Sequence, residues 1–368
     1  MQTPPFQLLD RDSVSGARRG VIATPHAQIE TPCFLPVGTR GAVKGITFDL
    51  LEAWDCRAVL ANAYHLMARP GSELIERAGG LHAFLGWRRA ILTDSGGFQV
   101  MSLASRRRIT PEGVEFRSPE DGTAHFLTPE RAMELQAGFG VDIAMALDVC
   151  PPFPAEKSEV AEASRLTLDW ARRSKAAYRG QGLLFGIVQG GTHEDLRRES
   201  AAGLSGLDFP GYAVGGVAVG ESKEAIRRVT EETAALLPPE KPRYLMGVGT
   251  PADLLASVRN GIDLFDCVLP TRNGRMGHVY TRLGEIVIKH ERFKEDLVPL
   301  DASCLCPVCR RHSRAYLRHL FVLKDFSAPM LLSIHNVFFY LEWMKVIREA
   351  ISAGTLSQLE APPEKKIG

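Results

Sequence analysis

The chain has 368 residues, 45% of them hydrophobic, which supplies a sizeable core and argues against a disordered polypeptide. Forty-four Lys and Arg stand against 43 Asp and Glu, a formal net charge of +1 that excludes a protein coating nucleic acid over its whole surface but leaves a local basic patch open. No run of 18 apolar residues predicts a membrane span, and residues 1–10 lack the charged-then-apolar pattern of a secretory signal.

In chain order, residues 6–32 read as an N-terminal hairpin region. Short apolar runs follow at 31–37, 58–63, 90–93, 142–147, 183–188, 212–219, 243–248 and 264–269. They are too short for helices and mostly apolar on both faces, as strands buried on both sides are. Between several of them lie helical patterns. Residues 128–139 open with Thr128-Pro129, a cap followed by proline at the first helical position; 158–178 is long and amphipathic; 223–236 and 251–260 repeat the theme. Residues 109–127, with a turn at Asp121-Gly122, read as a hairpin inserted after the third strand. Residues 270–335 are a large insert after the eighth strand, 331–353 a closing helix, and the last ten residues a loose tail.

Eight strands alternating with helices predict an α/β fold, a (β/α)8 TIM barrel with a zinc-binding subdomain inserted after strand eight. The expected division is 1–269 for the barrel with its N-terminal hairpin region, 270–335 for the zinc-binding insert, and 336–368 for the closing helix and tail. A doubly wound open sheet is the alternative, but no G-x-G-x-x-G turn follows the first strand.

Of seven cysteines, Cys33, Cys56, Cys150 and Cys267 are scattered, while Cys304, Cys306 and Cys309 are clustered. With His335, 26 positions on, the cluster makes a four-ligand tetrahedral shell with no open position, so one structural zinc per chain is expected rather than a catalytic metal. His312 and His319 are alternative fourth ligands, and a chance group of buried thiols is the bland reading. Clustered thiols without a signal peptide suit the reducing cytoplasm.

Barrel enzymes carry their chemistry at the C-terminal ends of the strands. Strand three runs into Asp94-Ser95-Gly96-Gly97-Phe98-Gln99, strand four into Asp148, strand five into Gln189-Gly190-Gly191, strand six into Gly215-Gly216, and strand eight contains Asp266. Each Asp alone reads as a helix N-cap. Together at one mouth they supply an acid and a nucleophile for retaining glycosyl transfer, and Asp and Gln can read the edge of a purine-like base. The glycines let a flat ligand approach bare backbone.

Leu92–Val100 as Leu-Thr-Asp-Ser-Gly-Gly-Phe-Gln-Val, Ile187-Val188-Gln189-Gly190-Gly191, Asp266-Cys267-Val268-Leu269-Pro270-Thr271-Arg272-Asn273-Gly274-Arg275 and the Cys3His pattern resemble bacterial tRNA-guanine transglycosylase (queuine tRNA-ribosyltransferase). The resemblance runs from about residue 6 to 351. It implies an enzyme that swaps guanine at the wobble position of tRNAs with a GUN-type anticodon for the queuine precursor 7-aminomethyl-7-deazaguanine (preQ1), without ATP or an organic cofactor. It further implies a homodimer. Carried over residue by residue, Asp266 is the nucleophile and Asp94 the general acid/base. Ser95, Asp148, Gln189 and the backbone of Gly216, with Gly96 and Gly97, hold the base edge, and Phe98 and Met246 sandwich its faces. Without the family, Phe98 and Met246 would equally well be ordinary core. The wobble base must leave its stack to reach such a slot.

The chain departs from many bacterial relatives in Val149-Cys150-Pro151-Pro152-Phe153-Pro154 and in Val217, which bears on base selectivity; Val219 resembles the bacterial members and favours preQ1 over queuine. Residues 270–325 hold eleven Lys and Arg against six Asp and Glu, so the neutral total conceals a local balance of +5. Most of Arg310–Arg318 reads as a solvated face. Arg272 and Arg275, with Thr271, Asn273 and Gly274, directly follow the nucleophile strand and are placed to hold RNA; Arg106-Arg107-Arg108 is a further basic patch. Gly247, Val248, Gly249, Thr250, Pro251, Ala252 and Asp253 match the family's other RNA-contacting loop. A non-catalytic RNA-binding subunit would lack Asp94 or Asp266, and a barrel metallohydrolase would need histidines at the strand ends; neither fits.

Overall fold

Along a β-strand, residues i and i+2 point to one face and their neighbours to the other. Where both sets are apolar, both faces must be covered. The computed structural model describes residues 4–98, 107–117 and 122–365, and in it the eight apolar runs close into one parallel barrel. Gln99, Val100, Arg106, Asp121 and residues 366–368 lie outside the described residues.

β1 (Phe6–Arg11), β2 (Arg18–Ala23) and β3 (Gln28–Thr31) form an antiparallel sheet ahead of the barrel. The barrel starts with β4 (Cys33–Gly38), α1 (Phe48–Ala53) and β5 (Ala58–Ala61). Three short helices follow, α2 (Ala63–Ala68), α3 (Ser72–Arg77) and α4 (Leu81–Leu85), then β6 (Ala90–Thr93). The expected hairpin at 109–127 is a three-stranded antiparallel sheet of β7 (Arg107–Ile109), β8 (Val114–Arg117) and β9 (Ala124–Leu127). The alternation resumes with α5 (Pro129–Phe139), β10 (Ile143–Met145), α6 (Lys157–Ala177), β11 (Leu183–Val188), α7 (Glu194–Ser205), β12 (Gly211–Val214), α8 (Lys223–Leu236), β13 (Arg243–Leu245), α9 (Pro251–Arg259) and β14 (Leu264–Cys267). β14 closes the barrel on β4, with Asp266 level with Leu35. The run at 212–219 is cut short at Val214, because Gly216 and Ala218 both take a left-handed φ of +61° that a strand cannot hold.

Leu35, Leu60, Leu92, Met145, Ile187 and Leu264 share the barrel interior. Phe6, Ile22 and Ile29 of the N-terminal sheet join the same cluster and close the barrel floor. The alternate residues, such as Phe34, Val59, Ile91 and Phe265, belong to the larger cluster that includes the helices. Also at the floor, buried Asp142 accepts hydrogen bonds from the amides of His26 (2.9 Å) and Ile91 (2.8 Å) and contacts His26 Nδ1 (3.0 Å) and His82 Nε2 (2.9 Å). The two imidazoles stack at 3.6 Å with 20° between planes. Near-parallel rings do not converge their lone pairs on one point, and the carboxylate is already filled, so this trio is a brace rather than a metal site.

After β14 come α10 (Leu269–Arg275), β15 (His278–Thr281), β16 (Gly284–Val287), α11 (Arg314–Val322) and the long α12 (Ser327–Ser352). α12 starts four residues earlier than expected, despite Pro329, because first-turn amides have no intrahelical acceptor to lose. His335 therefore lies well inside the closing helix and does not begin it. A Cβ on Gly274 would stand 2.7 Å from the backbone nitrogen of Ser333, so glycine is what lets α10 and α12 touch. Asn336 donates to the carbonyls of Pro270 and His278, both at 3.0 Å, while Tyr340 and Trp343 donate to the carbonyls of Gly249 and Pro251. The long helix thus supports the loops that follow both β13 and β14. The tail expected to be loose is tied down within its described part: Glu364 pairs with Lys223 at 2.9 Å and accepts from Thr250, and the Lys365 carbonyl accepts from the Glu285 amide.

Candidate active site and metal centre

Extending the inward register past the last interior apolar residue places the chemistry. Ala58 and Leu60 lead to Asn62, Ala90 and Leu92 to Asp94, Phe185 and Ile187 to Gln189, Tyr244 to Met246, and Leu264 to Asp266. These five side chains form the top layer of the barrel filling, at the C-terminal mouth.

Asp94 is buried. One of its oxygens accepts from the Asn62 amide group and the other from the Ala63 backbone amide at 3.0 Å. Burial pushes its carboxyl up to about 7, and the Asp266 and Asp148 carboxylates add to the rise. Asp266 is half-buried, and a single oxygen, Oδ1, accepts from both the Tyr244 hydroxyl (2.6 Å) and the Gly247 amide (2.9 Å). Among the described residues nothing bonds Oδ2, which leaves one carboxylate oxygen available for attack. Burial raises this carboxyl too, while the Tyr244 and Gly247 hydrogen bonds favour its ionised form.

Beside them, Asp148 accepts from Ser95 Oγ (2.9 Å) and from Gln189 Nε2 (2.7 Å). Gln189 Oε1 is buried and has no partner among the described residues, so the site holds an acceptor waiting for a donor. A Cβ on Gly97 would meet the Asp148 carbonyl at 2.7 Å, and one on Gly216 would meet Gln189 Oε1 at 2.3 Å. Phe98 is 46% exposed and Met246 is partly buried at the top of the interior cluster. Phe98 is therefore not core, and both apolar surfaces are open to a flat ligand.

In the segment after β14, Cys304, Cys306 and Cys309 place their sulfurs 3.8, 3.4 and 3.2 Å from His335 Nδ1. All four ligand atoms lie within 4.8 Å of one another. A tetrahedral zinc with ordinary bond lengths sets sulfur and nitrogen ligands about 3.5 Å apart, so the donor set fits that ion. His335 Nε2 lies 2.8 Å from the Tyr280 carbonyl, a contact that leaves Nδ1 as the ligating nitrogen, and the Cys309 amide donates to Cys306 Sγ. His335 rather than His312 or His319 completes the cluster.

The model of the queuine tRNA-ribosyltransferase family matches residues 12–365. The chain belongs to that family. It is 50% identical over 363 residues to the queuine tRNA-ribosyltransferase of Caldanaerobacter subterraneus subsp. tengcongensis, covering 98% of this chain and 97% of that protein. The enzyme of the same name from Cereibacter sphaeroides is 51% identical over 347 residues, 94% of this chain and 92% of its own length.

Two residues of this family member escaped the motif reading. Asn62 and Tyr244 hold Asp94 and Asp266 directly, and the period-two register of β5 and β13 is the signal that points to both. The two expected RNA loops differ. Of the first, Val248, Gly249, Pro251 and Asp253 are buried, and Thr250 caps α9 by accepting from the Asp253 amide; Gly247 is its exposed member, and Ala252 is half-buried. In the second, Thr271 and Gly274 are buried and Asn273 donates to Tyr280, while Arg272 is exposed. Arg275 Nη1 is shielded from solvent and has no partner among the described residues. Farther on, Arg310 and Arg311 are exposed, as a solvated face requires, but Arg314 and Arg318 are largely shielded and pair with Asp296 and Glu291. Arg107 and Arg108 are exposed on β7.

Proposed function

We propose that this protein is a tRNA-guanine transglycosylase that exchanges wobble guanine in tRNAs with a GUN-type anticodon for preQ1. Asp266 Oδ2 attacks ribose C1′, the C1′–N9 bond breaks, and Asp94 gives a proton to the departing guanine. The incoming base then loses its N9 proton to Asp94 and attacks C1′, releasing the Asp266 carboxylate. Two displacements at one carbon retain configuration. The observation that carries this reading is the pair of carboxyls at one barrel mouth, one with an unbonded oxygen and one raised to about 7.

Asp148 and Gln189 Oε1 are acceptors for the N1–H and 2-amino donors of guanine, and the backbone turn at Gly216, through the N–H of the Gly216–Val217 peptide, is a donor for its 6-oxo group. Phe98 and Met246 cover the ring faces. Arg272, Arg275 and Gly247 face the anticodon loop. The cavity beyond Gln189 and Gly216, lined also by Val219 and Glu221, holds only about 30 Å³. That space and the acidic Glu221 suit a small cationic aminomethyl group and not the added ring of queuine.

One zinc in the Cys3His shell is structural. All seven cysteines are unpaired with one another, in keeping with the cytoplasm, and no helix among the described residues is long and apolar enough to cross a membrane. Tyr316, Val322, Leu323 and Phe326 expose 44 to 80% of their surfaces around α11, an apolar patch that supports a homodimer.

Unfractionated tRNA offered guanine, preQ1 and queuine in parallel tests the assignment. Guanine and preQ1 enter the wobble position and queuine does not. Absence of any exchange overturns the reading, and queuine entry at the preQ1 rate overturns the role of Val219.

The Asp94 carboxyl sets a pH dependence. Guanine departure needs its protonated form, so the single-turnover rate of guanine release declines above about pH 7, by about tenfold per unit. A flat rate through pH 9 would contradict Asp94 as the acid.

A further inference from the structure

Arg197, in the first turn of α7, is completely buried and forms no ion pair among the described residues. Its guanidinium donates only to main-chain carbonyls: Nε to Gly191 at 2.8 Å, Nη1 to Val188 at 3.1 Å and Nη2 to Gly216 at 3.1 Å. A buried cation without a counter-charge is costly to desolvate, and burial pulls its pKa down to about 10. Such a group persists where its geometry is needed. Here it joins the turn after β11, which carries Gln189, to the turn after β12, which carries Gly216. The start of α7 is pressed on the first turn: a Cβ on Gly190 would stand 2.7 Å from the Arg197 backbone nitrogen.

The third bond has a directional consequence. In a trans peptide the C=O and the following N–H point in opposite directions. With the Gly216 carbonyl held by Arg197, the Val217 N–H points away from the guanidinium. The Gly216 amide is turned toward the Cys150 sulfur, whereas the Val217 amide has no acceptor among the described residues. The turn therefore has one donor to offer, the Val217 N–H, and has its carbonyl turned aside.

We propose that Arg197 is a positioning residue for base recognition, fixing the Gly216–Val217 peptide so that the pocket meets the base's 6-position with a donor and selects 6-oxo over 6-amino purines. This rests on the transglycosylase reading. Without the clamp the peptide is free to turn its carbonyl inward, and a carbonyl accepts from a 6-amino group as readily as the N–H donates to a 6-oxo group.

The test compares Arg197→Lys and Arg197→Met with the unaltered enzyme, using guanine and 2,6-diaminopurine as competing bases at saturating tRNA, with thermal melting in parallel. Lysine keeps the charge but cannot span three carbonyls at fixed angles. In both variants KM for guanine rises about tenfold or more, KM for tRNA stays within about twofold, and the guanine preference drops by about tenfold. Lower melting with unchanged guanine KM and unchanged preference makes Arg197 purely structural and overturns the proposal. If the methionine variant does not fold, the lysine variant decides by the same two ratios. Loss of exchange by the unaltered enzyme itself would instead defeat the transglycosylase reading.

Discussion

Asp266→Asn leaves the protein folded and stops guanine exchange, lowering the rate by at least about a thousandfold, or about 4 kcal/mol in the barrier. The geometry makes this variant unusually clean. Tyr244 and Gly247 both donate to Oδ1, and an asparagine carbonyl oxygen has two lone pairs with which to keep both bonds. Its amide nitrogen then stands where Oδ2 was, and no neighbour among the described residues is left unpaired by the change. What disappears is the anionic oxygen that attacks C1′. The thermal midpoint should stay within about 2 °C of the unaltered protein, since nothing buried loses a partner. A variant that exchanged guanine at the normal rate would remove Asp266 from the nucleophile role.

Cys306→Ala has the second large effect, this time on structure. Cys306 is buried and is one of four ligands, and structural zinc sites contribute on the order of 10 kcal/mol to the folding of the segment they tie. The unaltered chain should carry about one zinc, and the variant close to none, read by elemental analysis. His335 ties that segment to α12, whose Asn336, Tyr340 and Trp343 hold the loops after β13 and β14. Loss of the metal should therefore loosen the Asp266 and Gly247 surroundings, giving weaker tRNA binding as well as a lower melting temperature. Unchanged zinc content in the variant would exclude Cys306 as a ligand.

The barrel was readable because its strands are apolar on both faces, a pattern few other architectures tolerate, and because the polar residues that interrupt it fall at the strand ends. Asp94, Gln189 and Asp266 each stand two places after an inward apolar residue, so local order in the chain already carried them to the mouth. The Cys3His set was readable for a different reason: three thiols in six positions have few uses in a reduced protein. Arg197 shows where this stops. It sits on a helix that the apolar pattern did not single out, and its partners are carbonyls, which have no signature in a sequence. Tyr244 looks like one more core aromatic until its hydroxyl is placed against Asp266. The tail and the start of α12 were misjudged because both depend on distant contacts: Glu364 with Lys223, and a first-turn proline that costs no hydrogen bond. The neutral charge total, by contrast, resolved once the chain was divided, because residues 270–325, with Arg272 and Arg275, carry a local balance of +5.

The most direct measurement of the central claim is mass spectrometry of the enzyme denatured after incubation with tRNA. A covalent tRNA adduct lacking guanine should map to the peptide containing Asp266, discharge when guanine or preQ1 is added, and be absent from Asp266→Asn; active exchange with no adduct, or an adduct on another residue, would contradict the account.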